Sequence, residues 1–173
     1  MRFLTNEDII EYGIMPELLS RIGKVSVMNP LTTNSLYNIL ANGEETEISI
    51  HKHYCKQRGF SLEFTDEALK KIAALANNSN LGVRSIAPIL NSLLEEVYYD
   101  YAQYANKTLL VDMYFIEKHQ FYTKHGSVVL DYEKGIDLTA ISQKYAYTEN
   151  EVCDLIITHK IYKTKGNTYE KKM

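Results

Sequence analysis

The chain has 173 residues, 45% of them hydrophobic and 24% charged, with a net charge of −3. That length suits one domain with a small appendage, and no apolar run approaches the roughly 18 residues of a spanning helix, which excludes a membrane protein of that kind. The opening Met1-Arg2-Phe3-Leu4-Thr5-Asn6-Glu7-Asp8 turns acidic before a hydrophobic stretch can form, so it does not read as a secretory signal, and two cysteines, Cys55 and Cys153, cannot make a disulfide framework; the expectation is reduced thiols in a cytoplasmic protein.

Charge changes sign along the chain. Residues 1–117 hold 10 Lys/Arg against 15 Asp/Glu, and residues 118–173 hold 9 against 7, which suggests a boundary near 118. The basic excess of the second part sits in Lys160, Lys163, Lys165, Lys171 and Lys172, which read as a frayed, solvated end.

Taken in order, Thr5 followed by Asn6-Glu7-Asp8 is a helix start, with acids where the helix dipole favours them, and Gly13 stops the helix. Pro16–Ile22 is a second short helix with proline at its first position. Val25–Met28 alternates and is expected as a short strand. Thr32–Leu40 is a helix carrying Leu36, Ile39 and Leu40, and Glu45–Arg58 is another. Phe60–Phe64 alternates as a strand. Thr65-Asp66-Glu67 caps a helix whose apolar positions Ala68, Leu69, Ile72, Leu75 and Ala76 follow the 3.6-residue period. The strongest periodicity runs from Ile86 through Leu90, Leu93, Leu94 and Val97 to Tyr101, a helix of about five turns. Pro88 requires that it start later than Gly82 or kink. Leu109–Phe115 is expected as a last strand. The fold class is therefore mostly α with a few short β-strands (α+β).

Two arginines have chemically suggestive settings. Arg21 ends the short helix of Gly13-Ile14-Met15-Pro16-Glu17-Leu18-Leu19-Ser20-Arg21, and Arg84 stands in Gly82-Val83-Arg84-Ser85 before the long helix, where a guanidinium adds to the positive end of the helix dipole and favours an anion such as phosphate. Taken singly, each also fits an ordinary surface arginine in an ion pair of small worth.

Together with Leu62-Glu63-Phe64-Thr65-Asp66-Glu67-Ala68-Leu69 between them, these segments resemble the C-terminal part of the Clp-type AAA+ unfoldases, the ClpX-like members most closely, over roughly residues 4–117. The resemblance implies an AAA+ small-domain fold and a division into three: residues 1–29 as the tail end of a large ATPase domain, 30–117 as the Clp-type C-terminal small domain, and 118–173 as a helical appendage. It implies that Arg21 is an arginine finger acting on the nucleotide of a neighbouring subunit. It makes Arg84, with Gly82 and Val83, the second-sensor turn that touches the nucleotide of its own subunit. An always-charged planar donor suits the charge that spreads over the γ-phosphoryl oxygens. Val83 stands where the family usually has alanine, and Pro88 is a further departure.

The sequence contains no Gly-x-x-x-x-Gly-Lys-Ser/Thr and no apolar strand ending in paired carboxylates. The expectation is a region of an ATP-dependent unfoldase that uses ATP with Mg only within a complete ATPase, with no cofactor for the isolated chain. Expected partners are an AAA+ large domain, neighbouring ring subunits and, in the full machine, a peptidase. The alternative is a stand-alone interaction or regulatory protein, DNA-binding through residues 137–160. There, Leu138, Ile141, Tyr145, then Ala146-Tyr147-Thr148, then Val152, Leu155 and Ile156 have the spacing of a helix-turn-helix. Glu149, Glu151 and Asp154 on its second helix repel phosphates, so two-helix packing or protein contact is the preferred reading. His51-Lys52-His53-Tyr54-Cys55 places His51 and Cys55 on one helix face without His53 and with no second ligand cluster, and does not make a tetrahedral metal site.

Overall fold

The computed structural model describes residues 5–22, 29–79, 81–164 and 170–172. The chain divides into two compact units, Met1–Leu31 and Thr32–Met173.

In the first unit, α1 (Asn6–Glu11) begins on a capping box. Thr5 Oγ1 accepts from the Asp8 amide at 3.2 Å and the Asp8 carboxylate accepts from the Thr5 amide at 2.8 Å. Gly13, with φ of +106°, ends the segment in a backbone conformation that favours glycine. Helix α2 covers Pro16–Leu19, shorter than the expected Pro16–Ile22. The Ser20 hydroxyl donates back to the Glu17 carbonyl at 2.8 Å, which competes with continuing the helix. Neither helix has a buried residue. The strand expected at Val25–Met28 lies outside the described residues.

The second unit opens with α3 (Thr33–Asn42) and α4 (Glu47–Gln57), each started by a threonine cap, Thr32 and Thr46. Strand β1 (Ser61–Phe64) leads to α5 (Asp66–Asn78), capped by Thr65. A 3₁₀ turn, Gly82–Ser85, feeds α6 (Ile86–Tyr99), and a second 3₁₀ turn, Tyr101–Tyr104, leads to β2 (Lys107–Val111). Pro88 is the third residue of α6, where its missing N–H costs no intrahelical bond, so of the two expected outcomes, a later start or a kink, the later start occurs. Strands β1 and β2 are parallel, Ser61 opposite Thr108 and Phe64 opposite Val111, so a crossover is needed between them, and α5 and α6 supply it. Strand β3 (Glu170–Lys172) pairs antiparallel with β2, giving the order β1-β2-β3.

The expected strand Leu109–Phe115 is corrected at its second half. It stops at Val111, because Asp112 accepts from the Phe115 amide at 2.8 Å and starts α7 (Met113–Glu133). Helix α7 has 21 residues, and Lys118, Glu117 and their neighbours all lie inside it. Two further helices follow, α8 (Leu138–Tyr145) and α9 (Glu149–Thr164), joined through Ala146, whose φ of 55° is left-handed. Lys160 and Lys163 belong to α9 rather than to a frayed end.

Two apolar clusters hold this unit. The larger gathers Leu36, Phe60, Leu62, Ile72, Ile86, Leu90, Leu94, Leu109, Val111 and Ile116 from α3 through the first turn of α7. The smaller gathers Val128, Ile141, Val152 and Ile156 from the end of α7, from α8 and from α9. The molecule is mostly α with short strands, as the sequence indicates.

Candidate functional site: two exposed arginine turns

The Arg84 turn is built by its neighbours. Helix α5 ends at Asn78, and Gly82 has φ of +59°, which an L side chain adopts only at a cost. Ser85 is buried, and its hydroxyl lies 2.6 Å from the Gly82 carbonyl and 3.1 Å from the Ala76 carbonyl of α5. That hydroxyl ties the turn to the end of α5 while Val83 and Arg84 remain exposed. Among the described residues, no hydrogen bond or ion pair engages the Arg84 guanidinium. Beside the turn, Leu75, Leu81, Ser85, Pro88, Ile89 and Ile116 line much of a cavity of about 590 Å³ between α5, α6 and α7. Leu81 and Ser85, on either side of Arg84 in the chain, line this cavity, while Arg84 itself does not; an exposed guanidinium can hold an anionic group.

Arg21 sits in the first unit, in the turn that follows α2. Its amide donates to the Leu18 carbonyl at 3.0 Å and its side chain is exposed. In the same unit Ile10, Tyr12, Met15, Leu18 and Ile22 expose apolar side chains. Arg21 and Arg84 thus belong to different compact units.

The His51–Cys55 segment turns inward. His51 Nδ1 meets the Tyr98 hydroxyl, and the His51 and Tyr98 rings stack at 5.8 Å. Burial holds the His51 imidazole below its ordinary value and pushes the Cys55 thiol up to about 11, which removes thiolate chemistry near neutral pH. His53 points elsewhere, to Gln57 at 3.0 Å.

In the α7–α9 region, α8 and α9 are joined through the left-handed Ala146, and several charges are paired internally. Lys144 Nζ lies 2.6 Å from Asp131 and Lys163 Nζ 2.7 Å from Glu133. Glu149 accepts from the Thr139 hydroxyl at 2.8 Å, and Glu151 closes a capping box with Thr148 at 2.7 Å. Sequence reasoning missed the α7 side of this unit, where Tyr122 OH meets His159 Nδ1 at 3.0 Å and His159 Nε2 lies 3.4 Å from Glu133. Asp112 as a helix start was the available signal for α7.

No family model matches the chain. Over 96 residues it is 32% identical to the ATP-dependent clpX-like chaperone, mitochondrial, of Saccharomyces cerevisiae, covering 56% of this chain and 18% of that protein. Over 94 residues it is 32% identical to the ATP-dependent Clp protease ATP-binding subunit ClpX 2 of Wolinella succinogenes, covering 54% of this chain and 24% of the relative. Over 110 residues it is 29% identical to the ATP-dependent protease ATPase subunit HslU of Campylobacter jejuni, covering 61% and 25%. The chain is related to part of a Clp-type AAA+ ATPase. The matches span about a fifth to a quarter of these Clp and HslU relatives. No helix among the described residues is long and apolar enough to cross a membrane.

Proposed function

We propose that this chain supplies the C-terminal region of a Clp-type ATP-dependent unfoldase in the cytoplasm. Residues 1–29 would end a large ATPase domain, 30–117 form the small domain, and 118–173 add a helical appendage that shares α7 with it. In this reading Arg84, with Gly82 and Val83, touches nucleotide in its own subunit, and Arg21 reaches the nucleotide of a neighbouring subunit. The chain's own residues bind and orient phosphate; ATP with Mg is held by a phosphate-binding loop outside this sequence. A peptidase is a partner of the assembled machine.

The observation that carries the proposal is the exposed Arg84, unengaged among the described residues, on a turn fixed by buried Ser85, beside an apolar cavity. The Ser85 hydroxyl fixes the backbone that carries Arg84, while the guanidinium stays available to an anion. The exposed apolar side chains around Arg21 fit a segment that another domain covers. The relatives are an ATP-dependent chaperone and ATP-dependent protease subunits, which fits the same reading.

The test is phosphate release. The chain alone with ATP and Mg is expected to release none above background. Grafted in place of the corresponding region of a Clp-type ATPase, it is expected to support turnover. Arg21→Ala in the graft should lower the rate by about 10³–10⁵-fold, the range for arginine fingers. Turnover by the isolated chain, or an active graft indifferent to both Arg21→Ala and Arg84→Ala, rules the proposal out.

The second reading, duplex DNA binding through residues 137–160, is favoured only by the α8–α9 turn. Within that segment Lys144 is already paired with Asp131 and Lys160 Nζ lies 5.8 Å from the Tyr132 ring centre, and salt-sensitive mobility shift of a DNA duplex would be its signature.

A further inference from the structure

A second cavity, of about 540 Å³, is lined by the last turns of α6, by the 3₁₀ turn Tyr101–Tyr104, by β2 and by α7. Its buried lining is core: Leu93, Val97 and Leu109. Three aromatic residues also line it, Tyr104, Phe115 and Tyr122, and each is held by the fold. The Tyr104 ring lies 5.7 Å from the ring of buried Phe60, and Phe115 packs against the larger apolar cluster. The Tyr122 hydroxyl lies 3.0 Å from His159 Nδ1, and His159 Nε2 lies 3.4 Å from Glu133. Rings fixed in this way cost little further ordering when a ligand arrives.

The charged side chains at the cavity are Glu95, Glu96 and Lys118, beside the His119 imidazole, whose Nε2 lies 3.5 Å from Ser92 Oγ. Among the described residues, no hydrogen bond or ion pair engages the side chains of Glu95, Glu96 or Lys118. Helix α6 ends at Tyr99 with no basic residue in its last turn, so the negative end of its dipole adds to the two carboxylates. Two carboxylates and a helix C-terminus outweigh one ammonium, and the cavity is negative. An anion entering it meets Glu95 and Glu96. An uncharged apolar molecule gains from the rings and the buried lining and nothing from the carboxylates. A cation gains from both, because the faces of aromatic rings are negative too. We propose that this cavity binds a small organic cation, an alkylated ammonium head lodged among Tyr104, Phe115 and Tyr122 with Glu95 and Glu96 as its counter-charges. Arg84 does not line this cavity, so the proposal does not depend on the nucleotide-site reading.

Choline and dimethylbutanol, its uncharged carbon isostere, separate charge from shape. Each is titrated into the full chain at constant ionic strength, up to about 50 mM, the range in which so small a ligand is read. Binding is followed by nuclear magnetic resonance at the His119 ring and at the amides of α6 and α7. Choline is expected to shift these signals and to bind at least about tenfold more tightly than dimethylbutanol. Glu95→Gln combined with Glu96→Gln should weaken choline about fivefold to tenfold and leave dimethylbutanol unchanged. Both glutamates are exposed, so the melting temperature should hold. Lys118→Gln should tighten choline, because it removes the one like charge at the site. Equal binding of the two probes, no shift at these positions, indifference to the glutamate changes, or weaker choline binding in Lys118→Gln overturns the proposal.

Discussion

Arg84 stands clear of the fold because the residue after it does not. The Ser85 hydroxyl bonds to the carbonyls of Ala76 and Gly82, so the turn is fixed by a side chain that sequence reading passes over as a small polar residue. Arg84 was singled out in the sequence only through its company, since Gly82-Val83-Arg84 taken alone also fits an ordinary surface arginine. Its anchor was not, because the partner Ala76 is nine residues away on another helix. Asp131 presents a similar case with a pH consequence. It is buried, and the Lys144 ammonium, followed by the Tyr145 hydroxyl at 2.9 Å, holds its carboxyl below the ordinary 3.8. A depressed folded value means that the stabilisation is present above the unfolded value and is lost as pH falls through the folded one. Asp131→Asn is therefore expected to lower stability at neutral pH and to flatten the loss of melting temperature below about pH 4. Thermal melts of both forms from pH 7 to pH 2 check this.

At the scale of elements, two of the caps were read and the longest helix was not. Thr5 and Thr65 cap the helices expected after them, because a hydroxyl at a helix start acts locally and needs no tertiary partner, whereas Thr32 and Thr46, expected inside their helices, cap them instead. Helix α7 has no single apolar stripe. Its first turn gives Ile116 to the larger cluster and its end gives Val128 to the smaller, so the buried direction changes along its length and the 3.6-residue signal cancels. The apolar start, Met113-Tyr114-Phe115, then reads as a continuation of β2. Between the two ends lies Gly126, where an added Cβ would meet nothing within 4 Å. Glycine inside a helix costs about 1 kcal/mol relative to alanine. Gly126→Ala is expected to stabilise the chain by about that amount, measured as a rise in urea midpoint at constant slope. An unchanged or lower midpoint would mean that α7 needs the freedom glycine provides there.

At the scale of the whole molecule, two apolar clusters joined by one helix suggest unequal local stability. The smaller rests on four buried side chains, Val128, Ile141, Val152 and Ile156, supplemented by the Tyr122–His159–Glu133 and Lys144–Asp131 links. Removing packing there should open α8 and α9 before it disturbs α5 and α6. Ile156→Ala is expected to cost about 2–5 kcal/mol. Amide exchange in α8 and α9 should accelerate while that in α5 and α6 stays near its original rate. Uniform acceleration would show that the second unit opens as one. The larger cluster was foreseeable because it draws on local periodic runs. The pairing of α7 with α9 joins segments whose charges and rings meet only once the chain has folded.

The sheet depends on residues far apart in the sequence. Strands β1 and β2 come from positions 61–111, yet β2 lies in the middle because Glu170–Lys172 aligns along its other side. Trimming those last few residues would leave the outward backbone amides and carbonyls of Lys107–Leu109 as an open template, the kind of bare margin along which chains stick to one another. An affinity tag inserted beside Glu170–Lys172 would sit directly against that margin, so labels for purification or immobilisation belong away from it.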